Sequence, residues 1–422
     1  MRAHNEQPAA FPAVHESWLP REHALYRPRH SGRQTLALVC AIVFFATPLF
    51  AFALGARPTE FENRALAPFP SPGDGWSFFT DLGPWATDHL VFREDAVHAA
   101  DAISRGLFGE PAPFGNKSND AGPIQAPPPP PDHVEYPAVV EGKDEWLYLG
   151  DEISSHCQLE QPLEETVARL RKLRNGIEAT GRTFITVIAP DKASLIPEHL
   201  PDTYLGKDCH QRMVDEFWQR MSAEDYVLDL RDDLLDWGEQ LGEPVYGPQD
   251  AHWSDEGGVL MARAVAERLR PGISDTWKVT PTEEWRVPAD IPPLIGRDGE
   301  TVGRDYAVAP DGVEDQTQET RTEYQTPLVL NTASGAGTYG LGVGLLGDSF
   351  TIRALPYLAA AFGNMTVLHH GTTADDDGAA VADMLADKDV VVLEIAERSL
   401  VRGAATILSD PVMSTIFAGL TE

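Results

Sequence analysis

Residues 341–350 read LGVGLLGDSF. The apolar residues Leu341, Val343, Leu345 and Leu346 run straight into Gly347-Asp348-Ser349. A short apolar run that ends on turn residues predicts a buried strand, and the apolar stretch over 355–362 behind it predicts a helix. A strand that turns directly into a helix is the building unit of an open α/β sheet. Its turn stands at the carboxyl edge, where ligands of such folds bind. Outward from this turn the same alternation recurs. Strands are expected at 183–189 (TFITVIA), 226–230, 365–368 and 390–395, and a short one at 144–149. Helices are expected at 163–180, 213–223, 257–269 and 379–385. The reading is an α/β fold over 134–422 with a mainly parallel sheet covered on both faces. Residues 271–342 are polar and broken by Pro and Gly, and read as an insertion of loops and short strands.

The N-terminal third has a different organisation. Residues 35–55, TLALVCAIVFFATPLFAFALG, carry no charge and are long enough to span a bilayer. Arg2, Arg21, Arg27, Arg29 and Arg33 precede them, a cationic flank that keeps residues 1–34 cytoplasmic and the bulk of the chain outside. Residues 1–34 are expected to be a disordered tail, and 35–55 a single transmembrane helix. The small residues Ala51, Ala53 and Gly55 leave a cleaved signal peptide as the alternative. Residues 56–133 are expected to form an extracytoplasmic entry segment, helical over 76–108, and a linker ending in the proline run 127–131. Of the three cysteines, Cys40 falls in the span and Cys157 and Cys209 in the exported part. In an oxidising compartment the latter two are expected to pair as a disulfide. Lys and Arg number 33 against 65 Asp and Glu, a net charge of -32, which excludes nucleic acid as a partner and disfavours a strongly anionic polymer.

About a hundred residues upstream of Ser349 stands Asp250-Ala251-His252-Trp253. A serine hydroxyl is a weak nucleophile until a base takes its proton, and the base needs a group to orient it. Ser349, His252 and Asp250 supply nucleophile, base and orienting acid. In an extended segment Asp250 and His252, two apart, point to the same side. The backbone N–H groups of Phe350 and Thr351, at the start of the helix, are the expected oxyanion donors. Gly347 is expected to let the turn bend. Gly257-Gly258 bring the next helix close. Trp253 is placed to shield the pair or to stack on a sugar ring. No Cys/His spacing marks a zinc site, and no metal is expected.

These blocks and several others resemble the AlgJ/AlgX-like alginate O-acetyltransferase family, a branch of the SGNH hydrolase superfamily in which a D-x-H-W block precedes the GDS-type serine. Phe61-Glu62-Asn63-Arg64 with Pro68 is similar to the family's entry segment, and Asp88-His89 with Phe92-Arg93 to its D-H-x-x-x-R stretch. Val139 with 141–148 (EGKDEWLY) resembles its G-K-D-x-W-L-F strand. Pro190-Asp191-Lys192 with Pro197-Glu198 and Leu200-Pro201 resembles its P-x-K loop, and Glu394 with Glu397-Arg398 its E-x-x-E-R. The resemblance implies an SGNH-like three-layer α/β/α sandwich and a Ser349 acyl-enzyme that passes acetyl to a polysaccharide hydroxyl. It implies no cofactor beyond an acetyl donor supplied by a membrane-bound acyl-transferring protein. A glycan O-acetylesterase with the same triad, and a non-catalytic polysaccharide-assembly protein, are the alternatives.

Lys192 is a candidate for binding substrate or donor, against a structural ion pair. Arg353, one turn after Ser349, is a candidate for the oxyanion or the glycan, against a helix-surface role. Asn364, His369-His370 and Asp375-Asp376-Asp377 are expected to be turn or loop residues.

Overall fold

Side chains two apart on a strand share a face, so a strand buried on both sides divides its residues between two cores. The strands, in chain order, are β1 (Val139–Glu141), β2 (Leu147–Leu149), β3 (Thr183–Ala189), β4 (Val227–Asp229), β5 (Lys278–Pro288), β6 (Glu300–Ala309), β7 (Leu328–Leu330), β8 (Val343–Gly347), β9 (Met365–His369) and β10 (Val390–Ala396). On β10, Val390, Val392 and Ala396 join one core while Val391, Leu393 and Ile395 join the other. β3 divides likewise, with Ile185, Val187 and Ala189 against Phe184 and Ile188. These facts come from a computed structural model, which describes residues 32–55, 69–71, 77–89, 99, 103 and 134–421 except 323 and 334.

The main sheet has the order β4-β3-β10-β8-β9-β7. Neighbours from β4 to β9 pair in parallel, and β7 closes the edge antiparallel to β9. The helices Asp255–Leu269 and Thr351–Ala361 cover the first face. Leu163–Glu178, Lys207–Met221, Ala379–Leu385 and Asp410–Gly419 cover the second. This is the expected three-layer α/β/α arrangement with a mainly parallel sheet.

Three helices start earlier than their apolar periodicity suggests, and the one expected over 355–362 begins at Thr351. The one expected from 213 begins at Lys207, and the one expected from 257 begins at Asp255. The first turns of these two are polar, as suits a helix end whose N–H groups face water or acidic side chains. The strand expected at 144–149 is confined to β2, because Asp144 and Glu145 adopt left-handed backbone (φ 53 and 64°) in the turn that pairs β1 with β2. The insertion is more regular than its composition suggests. It holds a long antiparallel hairpin of β5 and β6, and it donates β7 to the main sheet.

Cys157 and Cys209 are joined, tying the end of helix Gly150–Cys157 to helix Lys207–Met221. Over the expected span a helix runs from Gly32 to Ala53. Part of its side chains falls outside the described residues, and among the described residues no helix is long and apolar enough to cross a membrane. A further helix covers Ser77–Asp88. The 1–31 tail, the blocks at 61–68 and 92–93 and the proline run 127–131 lie outside the described residues.

Candidate active site

Ser349 stands on the turn between β8 and helix Thr351–Ala361, at the carboxyl edge of the sheet as its flanking residues predict. Asp348 organises this turn. Its Oδ1 accepts the Phe350 N–H at 2.9 Å and its Oδ2 the Ala396 N–H at 2.8 Å, so one carboxylate binds the serine turn to the end of β10. Burial raises the Asp348 carboxyl, but His370 nearby and the Phe350 N–H outweigh it and hold the group below the usual carboxylate range. Glu394 on β10 supports the turn from beneath. It accepts the Asp348 N–H at 2.9 Å and the Thr351 hydroxyl at 2.7 Å. Burial and the Asp348 charge push the Glu394 carboxyl well above its ordinary range. Tyr324, from the insertion, donates its hydroxyl to the Asp348 carbonyl. Gly347 is needed for space. A Cβ there would run into the Thr351 hydroxyl, and its φ is not left-handed.

His252 comes from the segment before helix Asp255–Leu269. His252 Nε2 lies 2.7 Å from Ser349 Oγ, and Nδ1 lies 3.0 Å from Asp250 Oδ1. Asp250 and His252 are not in extended backbone. The His252 N–H donates to Asp250 Oδ1 at 3.0 Å, so the carboxylate folds the chain back over itself and meets both the amide and the imidazole. A second acid, unmarked in the sequence, shares Nδ1: Asp290 Oδ2 is 3.1 Å away. The side chains are 14% (His252), 8% (Asp250) and 19% (Asp290) exposed, so the charges are only weakly screened. Burial alone would lower the imidazole pKa. The two carboxylates outweigh it and lift the group to about 10. Asp250 in turn is held below the usual range: burial opposes this, and the bonds and charge of His252, with Arg353, outweigh it.

The remaining candidates take different places from those expected. Phe350 and Thr351 are not free oxyanion donors. The Phe350 N–H is bound by Asp348 Oδ1, and the Thr351 N–H donates to the Asp348 carbonyl at 3.1 Å. Of the amides at this turn, that of Ser349 itself is left without an acceptor among the described residues. Trp253 offers no face to a sugar. It is buried, donates Nε1–H to the Phe350 carbonyl at 3.0 Å and meets the Phe350 ring edge-on. Lys192 does not reach a substrate either. It is buried, and its ammonium donates to the carbonyls of Gly247 (3.2 Å), Pro248 (3.1 Å) and Asp250 (2.6 Å). It thereby fixes the loop that carries Asp250. Burial pulls its pKa down to about 8, against the pull of Glu152, Asp290 and Asp250. Arg353 is half-buried, with its guanidinium 4.0 Å over the Trp285 ring of the hairpin.

Gly258 and Gly257 do what close approach requires. A Cβ on Gly258 would strike the backbone of Arg353 and Ala354, so the base's helix and the serine's helix meet at this point. A Cβ on Gly257 would strike the Trp253 ring.

Beside this site the Glu397-Arg398 pair anchors the 190–192 loop. Glu397 accepts from the Asp191 N–H (2.8 Å) and Ser194 hydroxyl (2.8 Å), and Arg398 donates to Asp191 Oδ1 (2.6 Å). Two sets of side chains are close enough to share a cation: His156 with Asp191 and Glu397, and His252 with Asp250 and Asp290. In the first, His156 Nε2 and Glu397 Oε1 are 2.9 Å apart and Arg398 covers Asp191. In the second, both imidazole nitrogens are already engaged, by the carboxylates and by Ser349. The second set is thus closed by its own hydrogen bonds, while in the first Asp191 Oδ2 is buried without a hydrogen-bond partner. His369 Nδ1 accepts the Gly371 N–H, and Asp376 accepts from the Gly378 and Ala380 N–H groups. His369 ends β9, His370 starts the 3-10 turn His370–Thr372, and Asp375 and Asp376 end the short helix Thr373–Asp376, so these residues are more regular than the expected loop. Two surface grooves, of about 890 and 220 Å³, include none of the three relay residues.

Among curated proteins, a probable alginate O-acetylase AlgJ of Pseudomonas fluorescens is 29% identical over 136 residues, which are 32% of this chain and 34% of the relative. Its counterpart in Pseudomonas aeruginosa is 29% identical over 152 residues, 34% of this chain and 35% of the relative. The match thus spans about a third of the length of these curated relatives. Among solved structures, the O-acetyltransferase domain of Pseudomonas putida AlgJ aligns at 20% identity and TM-score 0.41, over 63% of this chain and 93% of that one. Bacillus cereus PatB1 aligns at 14% identity and TM-score 0.40, over 61% of this chain and 95% of that one. The family model described as the SGNH hydrolase-like domain of acetyltransferase AlgX matches residues 139–390, a segment that contains Asp250, His252 and Ser349, and the chain belongs to this family.

Proposed function

We propose that this protein is an extracytoplasmic O-acetyltransferase that carries an acetyl group on Ser349 and delivers it to a hydroxyl of a cell-surface or secreted polysaccharide. The observation that carries the reading is the unbroken relay from Asp250 through His252 to Ser349 at the carboxyl edge of the sheet, in a chain of the AlgX family. Ser349 Oγ attacks the acetyl carbonyl carbon while its proton passes to His252 Nε2. The developing oxyanion meets the free Ser349 N–H. The tetrahedral intermediate then collapses, the donor's leaving group departs with the proton from Nε2, and acetyl remains on Oγ. In the second half a sugar hydroxyl attacks the ester carbon and yields its proton to Nε2. Ser349 Oγ leaves and recovers that proton.

The donor in this reading is an acetyl ester or thioester presented by a membrane-bound acyl-transferring protein, as the family resemblance implies. The uncharged stretch 35–55 behind its arginine-rich flank supports a membrane anchor with the N-terminus cytoplasmic. The Cys157–Cys209 disulfide fits an oxidising compartment. Hydrolysis differs only in that water, instead of a sugar, attacks the acyl-enzyme, so an esterase is the second reading.

The test is intact-protein mass spectrometry of the full chain in detergent after exposure to an activated acetyl ester. One added acetyl on the wild type, mapped to the Ser349 peptide and missing from Ser349→Ala, is the expected result. Supplying oligosaccharide acceptors then separates transfer from hydrolysis. A wild type that gains no acetyl and turns over no ester would favour the assembly-protein reading.

A further inference from the structure

The imidazole of His252 faces two acids where a serine–histidine–acid relay needs one. Asp290 lies on the β5–β6 hairpin, between the end of β5 at Pro288 and the short turn Pro292–Ile295. It is fixed there as firmly as Asp250. Its Oδ1 accepts the Ala251 N–H at 3.0 Å, which aims Oδ2 at His252 Nδ1. The next residue repeats the clamp, as the Ile291 N–H donates to the Gln249 carbonyl at 3.3 Å. Ala251 and Ile291 are both fully buried in a small core of their own with Val139, Leu147 and Ile295. The loop that carries His252 and the hairpin are thus joined by two hydrogen bonds and a shared apolar core beside Nδ1.

We propose that Asp290 is a second orienting acid for His252, so that the base is held from two elements and Asp250 and Asp290 are partly interchangeable. The inference rests on the reading of Ser349 as nucleophile and His252 as its base. Orientation requires the proton on Nδ1 and the lone pair on Nε2, towards the serine. With one acid, its conversion to an amide lets the ring take the wrong tautomer. Here the Nδ1–H keeps a carboxylate whichever acid is lost. The charged groups facing the imidazole are few. Asp250 comes from its own loop and Asp290 from the hairpin. Lys192 lies beneath, with its ammonium on the Asp250 carbonyl, and Arg353 acts on the Asp250 carboxylate from the serine helix. The two acids are the groups that touch the ring, which agrees with its raised proton affinity.

The experiment compares full-length wild type, Asp250→Asn, Asp290→Asn, the double variant and Asp290→Glu in detergent, with Ser349→Ala as background. Ester turnover is followed across pH, and His252 is titrated directly by nitrogen NMR on histidine-labelled protein. Each single Asn variant is expected to lose roughly 10- to 30-fold in kcat with little change in KM. The double variant is expected to approach the roughly 10⁴-fold loss of a relay without its acid, more than the two single losses multiplied. In Asp290→Asn the acid limb of the rate and the His252 titration both move down by about one pH unit or more, and Asp290→Glu restores part of both. An unmoved His252 titration in Asp290→Asn overturns the proposal, and so does a turnover loss that Asp290→Glu does not relieve. The NMR titration reads Asp290 even if the wild type turns over no ester. That result would sink the acyl-enzyme reading and leave the pairing of the two acids to be judged by itself.

Discussion

At the scale of single residues, Lys192 shows how a charged side chain can serve the site from inside the protein. Its ammonium sits under the loop that carries Asp250 and takes three carbonyls of that loop. Replacing it by Met keeps the volume and removes the donors. The Asp250 carbonyl then loses its 2.6 Å partner in a buried place. Lys192→Met should lower the unfolding free energy by about 2–3 kcal/mol in a denaturant titration. It should also cut ester turnover at least tenfold, through displacement of Asp250. His252 gives a pH signature of its own. Its folded pKa of about 10 lies above the ordinary imidazole value, so its contribution to stability is fully present below pH ~6.5 and is lost as pH rises through about 10. The stability gap between wild type and His252→Gln should therefore be widest at pH 6 and close by pH 10.5. A gap that stays constant across that range would contradict the two-carboxylate environment. The same proton affinity implies that turnover of an activated ester rises towards alkaline pH, because the neutral imidazole is the form that accepts the serine proton.

At the scale of elements, the site depends on how two helices meet. The Gly258 contact lets the helix after His252 lie against the backbone of the helix after Ser349. Gly258→Ala should force the two apart. The expected cost is about 1–3 kcal/mol in thermal unfolding, with a fall in turnover out of proportion to it, because the 2.7 Å contact between His252 and Ser349 spans the same gap. The Cys157–Cys209 link closes a loop with a sequence separation of 52. Chain-entropy arguments give such a loop about 4 kcal/mol, so Cys157→Ser with Cys209→Ser should lower the unfolding free energy by a few kcal/mol while sparing the relay. What the sequence reveals follows the range of the interactions. The strand-turn-helix around Ser349 and the β/α alternation are legible because each rests on local apolar periodicity. The pairing of Asp250, His252 and Ser349 is legible from residue type and setting. The amides of Phe350 and Thr351 are misread because Asp348, one residue from Ser349, competes for them. Asp290 is not legible at all. It comes from a polar hairpin 39 residues beyond Ala251, and nothing in the surrounding prolines marks it as acid to a base.

At the scale of the whole molecule, the net charge of -32 sets which acceptors approach easily. A polyuronate is repelled over a Debye length of ~10 Å at ~0.1 M salt, and a neutral glycan is not. Acetyl transfer to a polyuronate oligomer should therefore speed up as salt is raised from 20 to about 300 mM, while transfer to a neutral oligomer stays level. Equal salt response for both would show that a local basic path outweighs the global field. The sheet order has a consequence for how the protein is made. β10 lies between β3 and β8, and its Val390 pairs with Thr183, about two hundred residues earlier in the chain. The middle of the sheet is thus the last of its strands to leave the ribosome. Until it arrives, the apolar edge of β3 has no neighbour on that side, and the Asp348 carboxylate has no Ala396 N–H to bind. Until β10 joins, that bare apolar edge is open to pairing with other chains, so a chain stopped before Val390 should aggregate rather than fold.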